Sequence, residues 1–193
     1  MAIDAESRPV VGVVPGERTA ASVVAVVEDF RRRTGGRPMD LITTDGYPAY
    51  AEAILDAYGE TLTPPRTGKR GRPRAPYEVA PEGLTYAVVE KALGMSRVSR
   101  AINTSFVGRQ NGTDRHRDAR KARRTYRFGK GRRHHESVTH RTRYVYNFCW
   151  PSRTLRIGDD RGIWRKRSPA MAAGLADHVW SIPEWQAFPA VRH

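Results

Sequence analysis

Cysteine is almost absent. Cys149 is the only one in the chain, so no disulfide can close within it and no metal centre built from several thiolates can form. Long apolar runs are missing as well. No stretch approaches the roughly 20 residues of a membrane-spanning helix. The opening "MAIDAESRPV" lacks the basic start and apolar core of a secretory leader, so a soluble, intracellular protein is expected. Acidic residues are scarce in relation to basic ones: 20 Asp+Glu stand against 34 Lys+Arg, a net charge of +14. That imbalance suits a polyanionic partner, most often nucleic acid, although a merely soluble basic protein would show it too. A chain of 193 residues holds one domain, or one with a small appendage, and can bury a core.

The N-terminal third has regular patterning. "RPVVGVVPG" (8–16) reads as a buried strand closed by Pro15-Gly16. In "ERTAASVVAVVEDFRRRTGG", Ala20, Val23, Val24, Val27 and Phe30 recur at helical spacing, Thr19 is the expected N-cap, and Arg31 to Arg33 suit the last turn before Gly35. "MDLITTD" reads as a second strand. "PAYAEAILDAYG" reads as a second helix, from Pro48 at its first position to Gly59 beyond its end. This strand–helix alternation predicts an α/β domain.

Residues 63–83, "TPPRTGKRGRPRAPYEVAPEG", carry five prolines and predict a loop or extended linker. "LTYAVVEK" (84–91) reads as a returning strand. Residues 103–150 read as mostly helical, basic and then aromatic. "SPAMAAGLADHVW" predicts a helix near 169–180 within a C-terminal extension spanning 151–193.

Four features bear on chemistry. Asp45, in "LITTDGYPAY", ends a strand that passes directly into a helix. Open α/β sheets place ligand sites there, but an Asp-Gly pair also forms turns. Glu136, in "HHESVTH", is the only acid between Asp118 and Asp159 and lies among Arg132, Arg133, His134, His135, His140, Arg141 and Arg143. It reads either as a functional carboxylate or as a salt-bridged relief of positive repulsion. A zinc reading of His135, Glu136 and His140 departs from the metalloprotease spacing, because Ser137, Val138 and Thr139 intervene where that motif has two residues. In "DRHRDARKARRTYRFGKGRR" (114–133), Arg117, Lys121 and Arg124 fall on one helical face, which would either follow DNA phosphates or be simply solvated. Finally, Arg70-Gly71-Arg72-Pro73 in "KRGRPR" matches the core of an AT-hook, a slim extended peptide that lays arginines into A·T minor grooves. A flexible basic linker would look the same.

The segments "VVPGERTA", "TTDGYPAY", "NTSFVGRQNGTDRHRDARKARRTYRF" and "HHESVTHRTRYVYNFCW", in this order, resemble the DDE transposases of the insertion-sequence-one family, from about residue 3 to the end. The resemblance implies an RNase H-like catalytic domain over 1–150 that acts on insertion-sequence ends and target DNA. Its two Mg²⁺ ions would be held by two aspartates and a glutamate. Asp45 matches the second aspartate and Glu136 the glutamate, so their carboxylates are expected to converge. Arg70, Arg72, Arg117, Lys121, Arg124, Arg132 and Arg133 are the expected DNA contacts. The resemblance further implies nucleoid association in the cytoplasm, and either an oligomer on DNA or pairing with a full-length transposase.

"MAID" resembles the end of the family's second strand, so the first strand and its aspartate are expected to be missing. Asp4 would lie at the wrong end of the hairpin to replace it, because a strand spans roughly 17 to 20 Å. The resemblance thus leads to a truncated transposase, or to a non-catalytic DNA-binding remnant that interferes with transposition.

Overall fold

The computed structural model describes residues 1–65, 74–89, 105–121, 126 and 131–188. The chain forms two compact units, one made of Met1–Pro15 with Ser105–His193 and the other of Gly16–Thr104. Among the described residues the fold is mixed α/β, with four two-stranded sheets and six α-helices.

The chain opens with an antiparallel pair, β1 (Ala2–Ile3) and β2 (Val10–Gly12), in which Ile3 faces Val10. Asp4 builds the turn between them. Its carboxylate accepts from the backbone N–H of Glu6 (3.0 Å) and of Ser7 (3.3 Å), and from the Ser7 hydroxyl. Asp4 is therefore engaged in turn chemistry.

The second unit follows the sequence pattern closely. Helix α1 (Ala20–Arg33) starts at Thr19, whose hydroxyl accepts from the Ser22 N–H at 3.2 Å. It ends where Gly35 and Gly36 take left-handed conformations and the Gly36 N–H reaches back to the Arg31 carbonyl at 2.8 Å. Its valine stripe, Val23 and Val27, packs on Ala53, Ile54 and Tyr58 of α2 (Ala49–Tyr58), with Phe30, Ile42, Tyr47 and Tyr86 around them. Pro48 is the N-cap of α2, one place before the expected first position. Gly59 is required at its far end, because an added Cβ would lie 2.4 Å from the Leu55 carbonyl oxygen.

Strand β3 (Leu41–Thr44) leads into α2, and β4 (Glu60–Leu62), β5 (Tyr77–Val79) and β6 (Thr85–Val88) follow. β3 and β6 run parallel from Leu41↔Thr85 to Thr44↔Val88. Parallel neighbours need a long crossover, and α2 with the β4–β5 pair supplies it. The stretch expected to be wholly loop or linker is thus corrected at its C-terminal part: Tyr77–Val79 pairs with Glu60–Leu62 as an antiparallel hairpin.

In the other unit, α3 (Ser105–Arg117) precedes α4 (Arg132–Tyr144), which continues into a π-helical turn, Val145–Cys149. Asn147 in that turn is buried, and its amide serves the outer edge of β2. The Val10 N–H donates to Asn147 Oδ1 at 2.9 Å, and Asn147 Nδ2 donates to the Val10 carbonyl at 3.0 Å. One side chain thereby does the work of a neighbouring strand.

Next come the antiparallel ribbon β7 (Ser152–Gly158) and β8 (Trp164–Arg167), then α5 (Pro169–Ala172) and α6 (Ile182–Ala187). The helix expected near 169–180 stops at Ala172. Gly174 is left-handed (φ 72°), its N–H bonds to the Met171 carbonyl, and the Leu175 N–H bonds to that of Ala170. That double bond pattern terminates a helix. Among the described residues no helix is long and apolar enough to cross a membrane.

Candidate functional site

Asp45 follows β3 at the C-terminal end of the parallel pair. Gly46 makes the turn, with φ of 63°, a conformation that glycine adopts without penalty. The Asp45 carboxylate takes no part in that turn. Among the described residues its hydrogen-bond partner is Arg18, whose Nη2 lies 2.9 Å from Oδ2, with both side chains more than half exposed. Such a pair adds little stability. The Arg18 guanidinium also lies 4.8 Å from the Tyr47 ring centroid. Burial raises the pKa of the neighbouring Tyr50 hydroxyl, the Asp45 charge pushes it the same way, and Arg18 opposes. Thr44 and Tyr86 join their hydroxyls at 2.7 Å across β3 and β6. The strand end thus presents an accessible carboxylate beside an arginine and a group of tyrosines. The turn expected of the Asp45-Gly46 pair forms at Gly46, while the Asp45 carboxylate pairs with Arg18.

Glu136 lies in the other unit, on α4, in helical register with Thr139, His140 and Arg143. Thr139 and Arg143 are buried, and Glu136 and His140 are half-buried. Arg132 Nε approaches Glu136 Oε1 at 2.8 Å, one helical turn away, so the salt-bridged reading of this glutamate is realised. Arg132 and Arg133 are exposed at the start of α4. Among the described residues no three of His, Cys, Asp and Glu gather as a metal site.

Arg117 and Lys121 do not share the helical face expected of them. α3 ends at Arg117, Asp118 starts a turn by accepting from the Arg120 N–H at 3.0 Å, and Lys121 folds back so that its ammonium meets the Asp114 carboxylate at 2.5 Å, largely out of solvent. The Arg117 guanidinium carbon lies 3.5 Å from the Trp150 ring centroid, and burial lowers its pKa against the opposing pull of Tyr146 and Asp114. It lines a groove of about 860 Å³ with Trp150, Trp180, His116 and Cys149. Arg70, Arg72 and Arg124 lie outside the described residues.

Sequence reasoning passed over the β7–β8 ribbon and its basic residues. The signal in "SRTLRIG" is weak, because Leu155 alone is buried and arginines stand at Arg153 and Arg156. Compared with family models, curated proteins and solved structures, the chain matches none.

Proposed function

We propose that this chain is a DNA transposase of the DDE type by descent, with Asp45 and Glu136 matching two of the three catalytic carboxylates of the intact site. The single observation that supports this most is the placing of Asp45: a carboxylate at a parallel strand's C-terminal end, free of its own turn and beside Arg18. Mg²⁺ prefers hard oxygen ligands, which both carboxylates offer. When bound, a pair of such ions would activate the attacking oxygen and stabilise the leaving one. The residues present make an incomplete set, because Asp45 and Glu136 each hold an arginine and no third donor gathers with either among the described residues. Arg18, Arg132 and Arg133 are suited to holding phosphates by charge-assisted hydrogen bonds.

A non-catalytic DNA-binding role, competing with an active transposase at its DNA ends, is the second reading. The same incomplete donor set favours it.

The shared-site assignment can be tested with thiols, because Cys149 is the only native cysteine. In a Cys149→Ser background, Asp45→Cys and Glu136→Cys should be joined by a crosslinker spanning about 8 Å, the reach of groups sharing two metal ions. Joining should vanish in urea. If both thiols react fully with a monofunctional reagent but never crosslink in the native chain, the two residues serve no common site.

A further inference from the structure

Among the described residues, the ribbon formed by β7 and β8 carries a dense set of exposed cations not yet discussed. Between Ser152 and Arg167 the sequence has six Lys/Arg and two Asp. Asp159 is engaged in the turn, accepting from the N–H groups of Arg161 (3.0 Å) and Ile163 (2.8 Å). Arg167 is structural, its Nε donating to the Leu155 carbonyl at 2.8 Å. Arg153, Arg156, Arg161, Arg165 and Lys166 are left exposed, and among the described residues none of them forms an ion pair. Like charges gathered on adjacent strands repel one another, so the ribbon carries a cost that a polyanion would relieve.

The two faces differ. Leu155 is buried and anchors one of them. On the other, Trp164 lies across Gly158, its ring carbons 3.9 Å from where a Cβ would be, and the Arg156 guanidinium lies 4.5 Å from the indole centroid. Trp164 and Ile163 are each 59% exposed, large apolar groups displayed among cations.

We propose that this ribbon is a duplex-DNA-binding element, with Arg153, Arg156, Arg165 and Lys166 against phosphates and Trp164 making the uncharged contact. The proposal rests on the DNA-acting reading above and deepens it by naming a surface. The partner's class follows from shape. The major groove of B-form DNA, about 12 Å wide, admits a two-stranded ribbon, whereas A-form RNA has a deep, narrow one that protein elements do not enter.

The experiment uses the full chain and a fluorescent duplex of mixed sequence, with affinity measured across a salt series. Changing Arg153, Arg156, Arg165 and Lys166 to Gln should lower affinity about tenfold or more. It should also flatten the plot of log affinity against log salt by up to about 3.6, or about 0.9 for each lost phosphate contact. Trp164→Ala should lower affinity at an unchanged slope, because indole releases no counterion. Native affinity and slope in the fourfold variant would overturn the ribbon, leaving DNA binding to other residues such as Arg132 and Arg133. Failure of the native chain to bind any duplex would instead overturn the DNA reading itself. Equal competition by an RNA duplex would overturn the B-form assignment. Should the fourfold variant lose its native circular dichroism, acetylation of the native chain decides: saturating DNA should protect Lys166, and an unprotected Lys166 defeats the proposal.

Discussion

On the proposed reading, the purified chain, supplied with Mg²⁺ or Mn²⁺ and duplex DNA, should bind that DNA and leave it uncut. The resemblance assigns this chain two carboxylates where the mechanism uses three. Asp4 is held by Ser7 and the turn backbone. With two ligands, paired ions would bind weakly, and the nucleophile and leaving group would lose the alignment that supplies much of the rate. Mg²⁺-dependent cleavage by the unmodified 193-residue chain, lost on Asp45→Asn, would show that another carboxylate completes the site.

The largest effect on stability is expected at Asn147. Its amide pairs with both backbone groups of Val10, and Val10 is only 2% exposed. Replacing it with Leu, of similar shape, leaves a buried donor and a buried acceptor without partners, at about 1 to 3 kcal/mol each. Asn147→Leu should therefore cost roughly 2 to 6 kcal/mol, a large share of the 5 to 15 kcal/mol typical of a whole domain. Asn147→Asp should be comparably harmful for another reason. It keeps the acceptor for the Val10 N–H but sets a charge against the Val10 carbonyl. Urea denaturation followed by tryptophan fluorescence would measure both. A Leu variant as stable as the native chain would mean that β2 does not depend on this side chain.

What could be read in the sequence was the unit whose elements carry several agreeing signals. α1 has its valine stripe, its threonine cap and its terminal glycines. α2 has Pro48 before it and Gly59 after. β3 and β6 are apolar runs of ordinary strand length. The missed elements are short or mixed. β4 and β5 have three residues each and little burial, so no alternation marks them, and nearby prolines suggested an unpaired loop. Gly174, which ends α5, is visible in the sequence, but the alanine-rich run around it outweighed it. α6 is announced by the Ser181–Glu184 capping box and was open to detection.

Arg117 and Lys121 do not share a helical face, for a different reason. Helical spacing was carried through Arg117, Lys121 and Arg124, yet α3 ends at Arg117, and Lys121 found a carboxylate in Asp114. Spacing identifies a face only while the helix lasts. Glu136 was legible as an isolated acid in a basic helix. Its ion pair with Arg132 follows from one-turn spacing, whereas any joint action with Asp45 depends on long-range placement that local pattern does not encode.

Gly46 separates two kinds of selection. It is left-handed, and a Cβ added to it would meet the Val88 side chain at 3.1 Å. A randomised library over residues 44–47, sorted only for folded protein, should thus return glycine at 46 whatever the chain does for a living cell. Asp45, holding only an exposed ion pair, should drift freely in that library. On the proposed reading, enrichment of aspartate at 45 should emerge only when survivors are chosen for what they do to DNA, so the two neighbours together would report whether a population was filtered by folding or by chemistry.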